Sequence, residues 1–241
     1  TLLYALNYKR KEILELFYDF KTFTYDKQKK QWQTKFNPND FKRPIKLRND
    51  LINLKDKKVV LKKGEKINFV IAKKLYDDGL KHVLHSSDYF LNKYVKSDLI
   101  NPSSNEVFLQ SGSAISQENL DKILEYNINT LEIVDVDPIN KGSYLLDTLN
   151  IDKNNSKEEA INDIYKVLRP GEPPSFDVAN EIFKNLFFKS ERYDLSDVGR
   201  VKLNNKLALN CNDNITILRN DDIVEIIKHM LDLRDGKGEV D

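Results

Sequence analysis

Arg169-Pro170-Gly171-Glu172-Pro173-Pro174 joins two segments that each carry the apolar periodicity of a helix. Pro170 cannot continue a helix, and Gly171 adopts backbone angles that other residues avoid. These six residues therefore predict a stiff loop between two packed helices. Loops of this kind often contact another molecule, and a plain connector between the helices is the alternative interpretation.

Signals for the start of a helix stand on both sides of this loop. Ser156-Lys157-Glu158-Glu159 is typical of a capping box, and Ser175 is a suitable N-cap for the next segment. Apolar residues then recur every three or four positions, which predicts one buried face on each helix. They are Ala160, Ile161, Ile164, Tyr165, Val167 and Leu168 upstream, and Val178, Ala179, Ile182, Phe183, Leu186 and Phe187 downstream.

The composition indicates a globular protein. Its 241 residues are 40% hydrophobic and 32% charged, and no apolar run approaches the ~18 residues of a transmembrane helix. One cysteine, Cys211, excludes an internal disulfide and fits a reducing compartment. Because the sequence begins at Thr1 and ends on a polar run, we expect a fragment of a longer chain.

Charge is distributed unevenly, although the net charge is only +1. Residues 19–100 hold 20 Lys/Arg and 10 Asp/Glu, whereas residues 101–241 hold 16 and 26. Lysine outnumbers arginine by 31 to 8, which limits bidentate recognition of phosphate. We interpret the lysine-rich residues 55–66 as a solubilising surface.

The sequence pattern changes at Asp19. Alternating residues over 20–25 and 31–36 predict a hairpin. Further on, two copies of a repeat are offset by 48 residues, and each predicts a glycine turn, an N-cap, an amphipathic helix, a left-handed C-cap and a short strand. The copies begin at Gly64-Glu65-Lys66-Ile67 and Gly112-Ser113-Ala114-Ile115, with caps Asn68 and Gly79 in the first and Ser116 and Asn127 in the second.

From Ser143 onward the periodicity is helical, as it is in residues 1–18, which are too few to fold alone. We therefore predict an α+β protein with a discontinuous, mostly helical domain of residues 1–18 and 143–241. An α/β module of residues 19–142, with the two strand-helix repeats and hairpins, would be inserted into a loop of that domain.

Few side chains suit catalysis or metal binding. His82 and His85 would point to opposite faces of a strand without a third ligand, and Asp135 with Asp137 is typical of surface carboxylates. Cys211 has no histidine near it in sequence, and we expect Trp32 to be structural. The sequence therefore predicts no catalytic residue and no metal site.

Basic residues are more informative candidates. Lys202 and Lys206 lie four residues apart on a predicted helix, and with Arg169 and Arg200 they are candidate contacts for a DNA backbone. A solvated helix face is the alternative interpretation. On the same helix, we expect the apolar residues Val198, Val201 and Leu207 to face the core.

Several strings resemble the beta subunit of bacterial DNA-directed RNA polymerase. They are residues 164–174, which include the proline loop, and residues 186–188, 192–196, 198–202 and 232–241. Residues 1–17 resemble the segment that precedes a lineage-specific insertion in the lobe of that subunit. Residues 19–142 resemble the insertion of proteobacterial-type enzymes. The resemblance thus implies a lobe that carries an insertion.

In that family the lobe forms one side of the main cleft, beside downstream DNA. The resemblance implies that residues 169–174 are a gate loop that faces the clamp. It also implies, as partners, the alpha, beta-prime, omega and sigma subunits, downstream DNA and NusG-type elongation factors. The location would be the cytoplasm near the nucleoid, without a membrane, and the catalytic Mg²⁺ would be held by another subunit.

We therefore expect a fragment of a nucleotidyltransferase that has no cofactor and no activity alone, and that supports transcription within the whole enzyme. The alternative is an autonomous protein-interaction module that works through residues 19–142.

Overall fold

The computed structural model describes residues 1–28, 30–136, 141–173 and 175–239. These residues form both helices and sheets, so the α+β class predicted from the sequence is confirmed. Within them, no helix is both long enough and apolar enough to cross a membrane. The α-helices of these ranges are α1 (Leu2–Ala5), α2 (Arg10–Phe17), α3 (Phe69–Asp77), α4 (Gln117–Glu125), α5 (Tyr144–Ile151), α6 (Lys157–Leu168), α7 (Phe176–Phe187), α8 (Ser196–Leu207) and α9 (Asn220–Arg234).

The strands pair antiparallel throughout the described part of the chain. They are β1 (Phe20–Asp26), β2 (Gln31–Lys35), β3 (Ile45–Lys46), β4 (Leu51–Asn53), β5 (Val59–Leu61), β6 (Lys66–Ile67), β7 (His82–His85), β8 (Leu99–Ile100), β9 (Val107–Leu109) and β10 (Thr130–Val134). One sheet has the order β10-β1-β2-β7-β4-β5, while β3 pairs with β6 and β8 with β9. Short 3-10 helices stand at Pro38–Phe41 and Ser87–Phe90.

The chain divides into two compact units. The first combines Thr1–Phe17 with Asp147–Asp241 and is helical, whereas the second is the continuous segment Tyr18–Leu146 and contains the sheets. The described strands all lie in the second unit, which also contains α3 and α4.

The N-terminal helices of the first unit are held by residues that lie far along the chain. Nη1 of Arg10 donates to the carbonyl oxygen of Leu149 at 3.0 Å, and the Thr1 hydroxyl donates to the Asp152 carboxylate at 3.2 Å. Ile13 and Leu14 on α2 are completely buried. Residues 1–17 thus complete a core that they could not form alone.

Local capping explains where α6 begins and ends. The hydroxyl of Ser156 accepts from the amide of Glu159 at 3.3 Å, while the Glu159 carboxylate accepts from the amide of Asn155 at 2.8 Å. The return bond of the predicted capping box therefore reaches one residue further back than expected. The helix stops at Leu168 because Pro170 disfavours helical geometry in the residue before it.

Several helical faces predicted to be buried are exposed. On α6, Val167 is 82% exposed, and on α8 Val198 is 65% exposed and Val201 is exposed as well. In place of those valines, α8 buries Arg200 and Asn204. Apolar periodicity misplaced the inner face of α8 because its buried residues are polar, with the guanidinium of Arg200 and the amide nitrogen of Asn204 held by hydrogen bonds.

The two copies of the repeat share one geometry in the second unit. α3 and α4 begin and end 48 residues apart, and so do β5 and β9. Gly79 and Asn127, which directly follow the C-caps Asp78 and Tyr126, both have positive φ, at +104° and +54°. Only residues 64–83 and their counterparts revealed the repeat in the sequence, whereas the structure extends it through the preceding strands.

Individual hydrogen bonds recur at the same offset. The carboxylate of Asp50 accepts from the Lys63 amide at 2.7 Å, as the carboxylate of Asp98 accepts from the Ser111 amide at 2.6 Å. Other equivalent pairs are Gly64 to Leu47 and Gly112 to Val95, Leu47 to Glu65 and Val95 to Ser113, and Asn53 to Lys58 and Asn101 to Glu106, each from backbone amide to carbonyl. The two copies can therefore be compared residue by residue at an offset of 48.

The hairpins of the two copies differ in one respect. β4–β5 joins the large sheet through β7, where the Leu54 amide donates to the His82 carbonyl at 3.2 Å. The counterpart of Leu54 is Pro102, which has no amide hydrogen to donate. The second hairpin, β8–β9, accordingly forms a separate two-stranded sheet.

Each copy also has its own apolar cluster. Around α4 the cluster contains Trp32, which is fully buried and packs against Phe90 with ring centroids 5.0 Å apart. Around α3 the cluster contains Ile67 and Ala72. The buried position of Trp32 agrees with the structural role expected from the sequence.

Candidate functional site

The predicted loop connects α6 to α7 at the end of a helical hairpin. At its start, the Arg169 amide donates to the Tyr165 carbonyl at 2.8 Å, which closes the last helical turn. Gly171 has φ of +89°, in the region that favours glycine. Pro174 lies outside the described residues, so the described part of the site is residues 169–173.

One carboxylate holds this loop against α6. Oε2 of Glu172 accepts from the hydroxyl of Tyr165 at 2.8 Å and from Nη1 of Arg169 at 3.3 Å. The hydrogen bond from Tyr165, followed by that from Arg169, lowers the pKa of Glu172. The same bond to Glu172 raises the pKa of Tyr165. At neutral pH the loop therefore keeps a charged anchor.

Sequence reasoning missed this anchor. Tyr165 belongs to the apolar stripe that predicts the buried face of α6, and Tyr165 is buried in the structure. Its hydroxyl reaches Glu172, which follows the end of the helix and the Pro170-Gly171 turn. Helical periodicity does not extend across such a turn, so no spacing rule pairs the two residues.

Arg169, the basic residue of the loop, is paired with Glu172 in this anchor. The side chains of Arg169 and Glu172 are 53% and 54% exposed, and an ion pair exposed to this degree stabilises a protein weakly. The pairing nevertheless leaves residues 169–173 without net charge. Attraction of this loop to a phosphate backbone is correspondingly small.

Exposed apolar side chains flank the loop on both helices. Val167 and Leu168 end α6, while Phe176 and Val178 lie in the first turn of α7. Apolar groups gathered around a rigid tip are typical of a surface that contacts another protein. Their arrangement suits a protein contact better than a nucleic-acid contact.

Arg200 is not available to a DNA backbone, which corrects the expectation from the sequence. Its side chain is fully buried, with Nε donating to the Ile215 carbonyl at 2.6 Å and Nη1 to Asp222 at 2.8 Å. Nη2 donates to the Ile217 carbonyl. All three nitrogens are thus used within the fold.

Asp222 joins Arg200 to the start of α9. Its carboxylate accepts from the side chain of Arg219 at 2.9 Å and from the Arg219 amide, also at 2.9 Å. Burial alone would raise the pKa of Asp222, but the hydrogen bonds from Arg219 and Arg200 outweigh it and lower the pKa. We assign this cluster a structural role.

The remaining basic candidates lie on the outer side of α8. Lys202 and Lys206 are both exposed and occupy consecutive turns. Between them, Asn204 is buried and donates to the Cys211 carbonyl at 2.8 Å and to Asp213 at 2.9 Å. The structure therefore keeps Lys202 and Lys206, but not Arg200, on an accessible surface.

His82, His85, Asp135 and Asp137 were the other residues considered for metal binding. His82 is exposed, whereas His85 packs against Tyr89 with ring centroids 4.2 Å apart. Asp135 forms an ion pair with Lys21 at 3.1 Å, and Asp137 lies outside the described residues. Within the described ranges, no group of three His, Cys, Asp or Glu side chains is placed to hold a metal ion.

Comparison with known proteins relates the chain to RNA polymerase. The family described as RNA polymerase Rpb2, domain 2, matches residues 135–241. Over the whole chain, the similarity is to proteins named DNA-directed RNA polymerase subunit beta. This similarity extends over the full length of the chain, in relatives from several bacteria.

Three relatives illustrate the extent of the match. The protein of Ehrlichia ruminantium strain Gardel is 41% identical over 240 residues, which cover all of this chain and 17% of that subunit. The protein of Rickettsia prowazekii is 39% identical and that of Caulobacter vibrioides strain NA1000 is 37% identical, each over 241 residues and covering all of this chain and 17% or 18% of the relative. The chain thus spans less than a fifth of the beta subunits it matches.

Proposed function

We propose that residues 1–18 and 143–241 form the lobe of a bacterial RNA polymerase beta subunit, and that residues 19–142 are its insertion. In the assembled enzyme the lobe would line the cleft for downstream DNA. Residues 169–174 would be a gate loop that faces the clamp. The similarity to beta subunits over the full length supports this assignment.

The observation that carries the gate-loop proposal is the anchoring of Glu172 by Tyr165 and Arg169. A loop held in one shape before it meets its partner loses little conformational freedom on contact. Because the loop is uncharged overall and flanked by apolar side chains, its partners would be proteins, namely the clamp of the beta-prime subunit and NusG-type elongation factors.

Exposure elsewhere in the first unit also supports a place within a larger enzyme. Val167 on α6 and Val198 on α8 are exposed, and Met230 on α9 is 63% exposed. Single exposed apolar side chains are common on protein surfaces, and they mark a contact where they form part of a larger apolar patch. The alpha, beta-prime, omega and sigma subunits and the rest of the beta subunit would supply the covering surfaces.

Lys202 and Lys206 remain the candidates for contact with downstream DNA from the lobe. In this proposal the catalytic Mg²⁺ would be bound by another subunit of the enzyme. The chain would thus support nucleotidyl transfer, in the bacterial cytoplasm, by shaping the cleft.

The test uses polymerase assembled with this beta subunit carrying Glu172→Gln with Pro173→Ala. These changes weaken the anchor and the stiffness of the loop. We expect weaker binding of a NusG-type factor and an altered rate of open-complex formation, with unchanged thermal stability.

Glu191→Gln is the matched control, because Glu191 is exposed on the same unit and lies outside the loop. A loop variant that binds the factor and opens promoters at the control rate would refute the gate-loop assignment.

A protein-interaction module acting through residues 19–142 is the second candidate. The compact unit Tyr18–Leu146 with its own apolar clusters favours it. Deletion of residues 19–142 distinguishes the module from the gate loop. If this deletion abolishes partner binding and the loop substitutions have no effect, the module is favoured.

A further inference from the structure

The two copies of the repeat have the same backbone geometry and opposite charge. Residues 36–83 hold 13 Lys/Arg and 6 Asp/Glu, a balance of +7. Their counterparts, residues 84–131, hold 3 and 6, a balance of −3. Since the second copy folds without these cations, the fold itself does not require them.

The excess is concentrated in one part of the first copy. Residues 42–66 hold 10 Lys/Arg and 3 Asp/Glu, whereas residues 90–114 hold 2 of each. All but Arg43 of these ten basic side chains are exposed. We call the nine the basic face: Lys42, Lys46, Arg48, Lys55, Lys57, Lys58, Lys62, Lys63 and Lys66.

The carboxylates within this stretch do not pair with the basic face. Asp50 accepts from the Lys63 amide at 2.7 Å, Asp56 from the Lys58 amide at 3.3 Å, and Glu65 from the Lys62 amide at 2.7 Å. They shape the turns through the backbone. Among the described residues, none of the nine basic side chains forms an ion pair.

Two of the lysines repel each other across a strand pair. Lys46 on β3 stands directly opposite Lys66 on β6. Like charges at opposed positions destabilise a sheet. The counterpart in the second copy is the uncharged bridge between Tyr94 and Ala114. An anion bound beside Lys46 and Lys66 would remove this repulsion.

A third lysine occupies a backbone conformation that suits it poorly. Lys57 has φ of +56° in the hairpin turn, and its counterpart Asn105 has φ of +58°. Asparagine is strongly enriched in this left-handed region, whereas lysine is not. The first copy thus keeps positive charge at a position where the local backbone favours another residue.

We propose that the basic face binds the phosphate backbone of duplex DNA without sequence specificity. Lysine provides point charges that neutralise phosphates and carry no base-reading geometry. Residues 42–66 contain no aromatic residue, so the face lacks the stacking platforms typical of single-strand binding. DNA, rather than RNA, is taken as the duplex because this inference rests on the proposed place of the chain in RNA polymerase.

The second copy supplies the substitutions for the test. Polymerase assembled with this beta subunit would carry the equivalent residues of that copy at five positions: Lys55→Ser, Lys57→Asn, Lys62→Gln, Lys63→Ser and Lys66→Ala. Because the same backbone accepts these residues 48 positions later, the variant is expected to fold. Its control replaces five exposed lysines outside the basic face: Lys11→Gln, Lys27→Gln, Lys30→Gln, Lys153→Gln and Lys184→Gln.

The measurement is the affinity for a non-specific duplex of about 40 bp across a range of salt concentrations. Each phosphate contact contributes about 0.9 to the slope of log K against log salt, so loss of several contacts should lower the slope by roughly 3. At about 0.1 M salt we expect at least roughly tenfold weaker binding for the variant and little change for the control.

Two further probes, a single strand of equal length and polyglutamate, identify the partner class. A slope unchanged from wild type, or lowered equally by the control, overturns the proposal. A loss confined to polyglutamate also overturns it and indicates an acidic protein as the partner. If the slope is unchanged while the loop variant still alters promoter opening, this inference fails and the proposed function stands.

Discussion

Nη1 of Arg200 on α8 lies 2.8 Å from the carboxylate of Asp222 on α9, and neither side chain is exposed to solvent. The two helices are thereby joined through a buried ion pair. Removing one partner of such a pair leaves the other charge buried and uncompensated.

We therefore predict that Arg200→Ala lowers the free energy of unfolding by about 3–5 kcal/mol, because Asp222 loses one of its buried donors. Chemical denaturation of the chain measures this change. Lys202→Ala, on the exposed side of the same helix, should change the free energy by less than about 0.5 kcal/mol. Equal effects of the two substitutions would contradict the structural role of Arg200.

The same ion pair predicts a pH dependence. Because the folded-state pKa of Asp222 is lowered, its stabilising contribution is present above the unfolded value of about 4. The contribution is lost as the pH falls below about 4 toward the folded pKa. Denaturation at pH 3 and pH 6 should show a smaller difference for Asp222→Asn than for the wild type.

Tyr165→Phe tests the anchor of the loop. The substitution keeps the buried ring and removes the hydroxyl that donates to Glu172. We expect the pKa of Glu172 to rise toward its ordinary value, because the hydrogen bond from Tyr165 is the main cause of its lowering. Carboxyl chemical shifts followed by NMR titration measure this pKa, and the wild-type chain titrated under the same conditions is the reference.

The two equivalent aspartates of the repeat predict a graded effect. Asp98→Ala leaves the buried Ser111 amide without its acceptor and should cost about 1–3 kcal/mol of stability. Asp50→Ala frees the amide of the exposed Lys63, which water can satisfy, and should cost less. Thermal melts measure the loss of stability in each variant. A larger loss for Asp50→Ala than for Asp98→Ala would contradict the predicted effect of burial.

His85 predicts a second, milder pH dependence. Burial, followed by the charges of Lys21 and Lys93, lowers its pKa to about 4. The unfolded state binds a proton near pH 6.5, so stability falls as the pH decreases from about 6.5 to about 4. Between pH 7.5 and 5.5 the loss should be about 1–1.5 kcal/mol.

His85→Phe should remove most of that loss, because the ring stacking on Tyr89 remains and the titrating group does not. His82→Gln is the control, since His82 is exposed on the same strand. Persistence of the full pH effect in His85→Phe would assign it to other groups.

Local signals in the sequence predicted much of this fold. Pro170 and Gly171 marked the loop, and Ser156 marked the start of α6, because capping and backbone restriction act within a few residues. The N-caps Asn68 and Ser116 likewise hold their helices with side-chain hydrogen bonds. These features depend only on neighbouring residues, so they can be predicted without the tertiary structure.

Features that depend on distant partners were less predictable. No strand was predicted in residues 37–57, yet this range contains β3 and β4, whose pairing partners follow later in the chain. Arg200 resembled a surface cation because its acceptors, Ile215, Ile217 and Asp222, lie 15 to 22 residues away. Only the folded chain brings such groups together.

The position of β7 has one more consequence. It is the last strand of the first copy and precedes the 3-10 helix that opens the second, and it pairs with both β2 and β4. β7 lies between β2 and β4 in the large sheet, so a protease cut within β7 would disrupt this sheet. We therefore expect the segment Tyr18–Leu146 to unfold in a single cooperative transition, with uniform amide exchange protection across both copies and no stable half-size fragment after limited proteolysis.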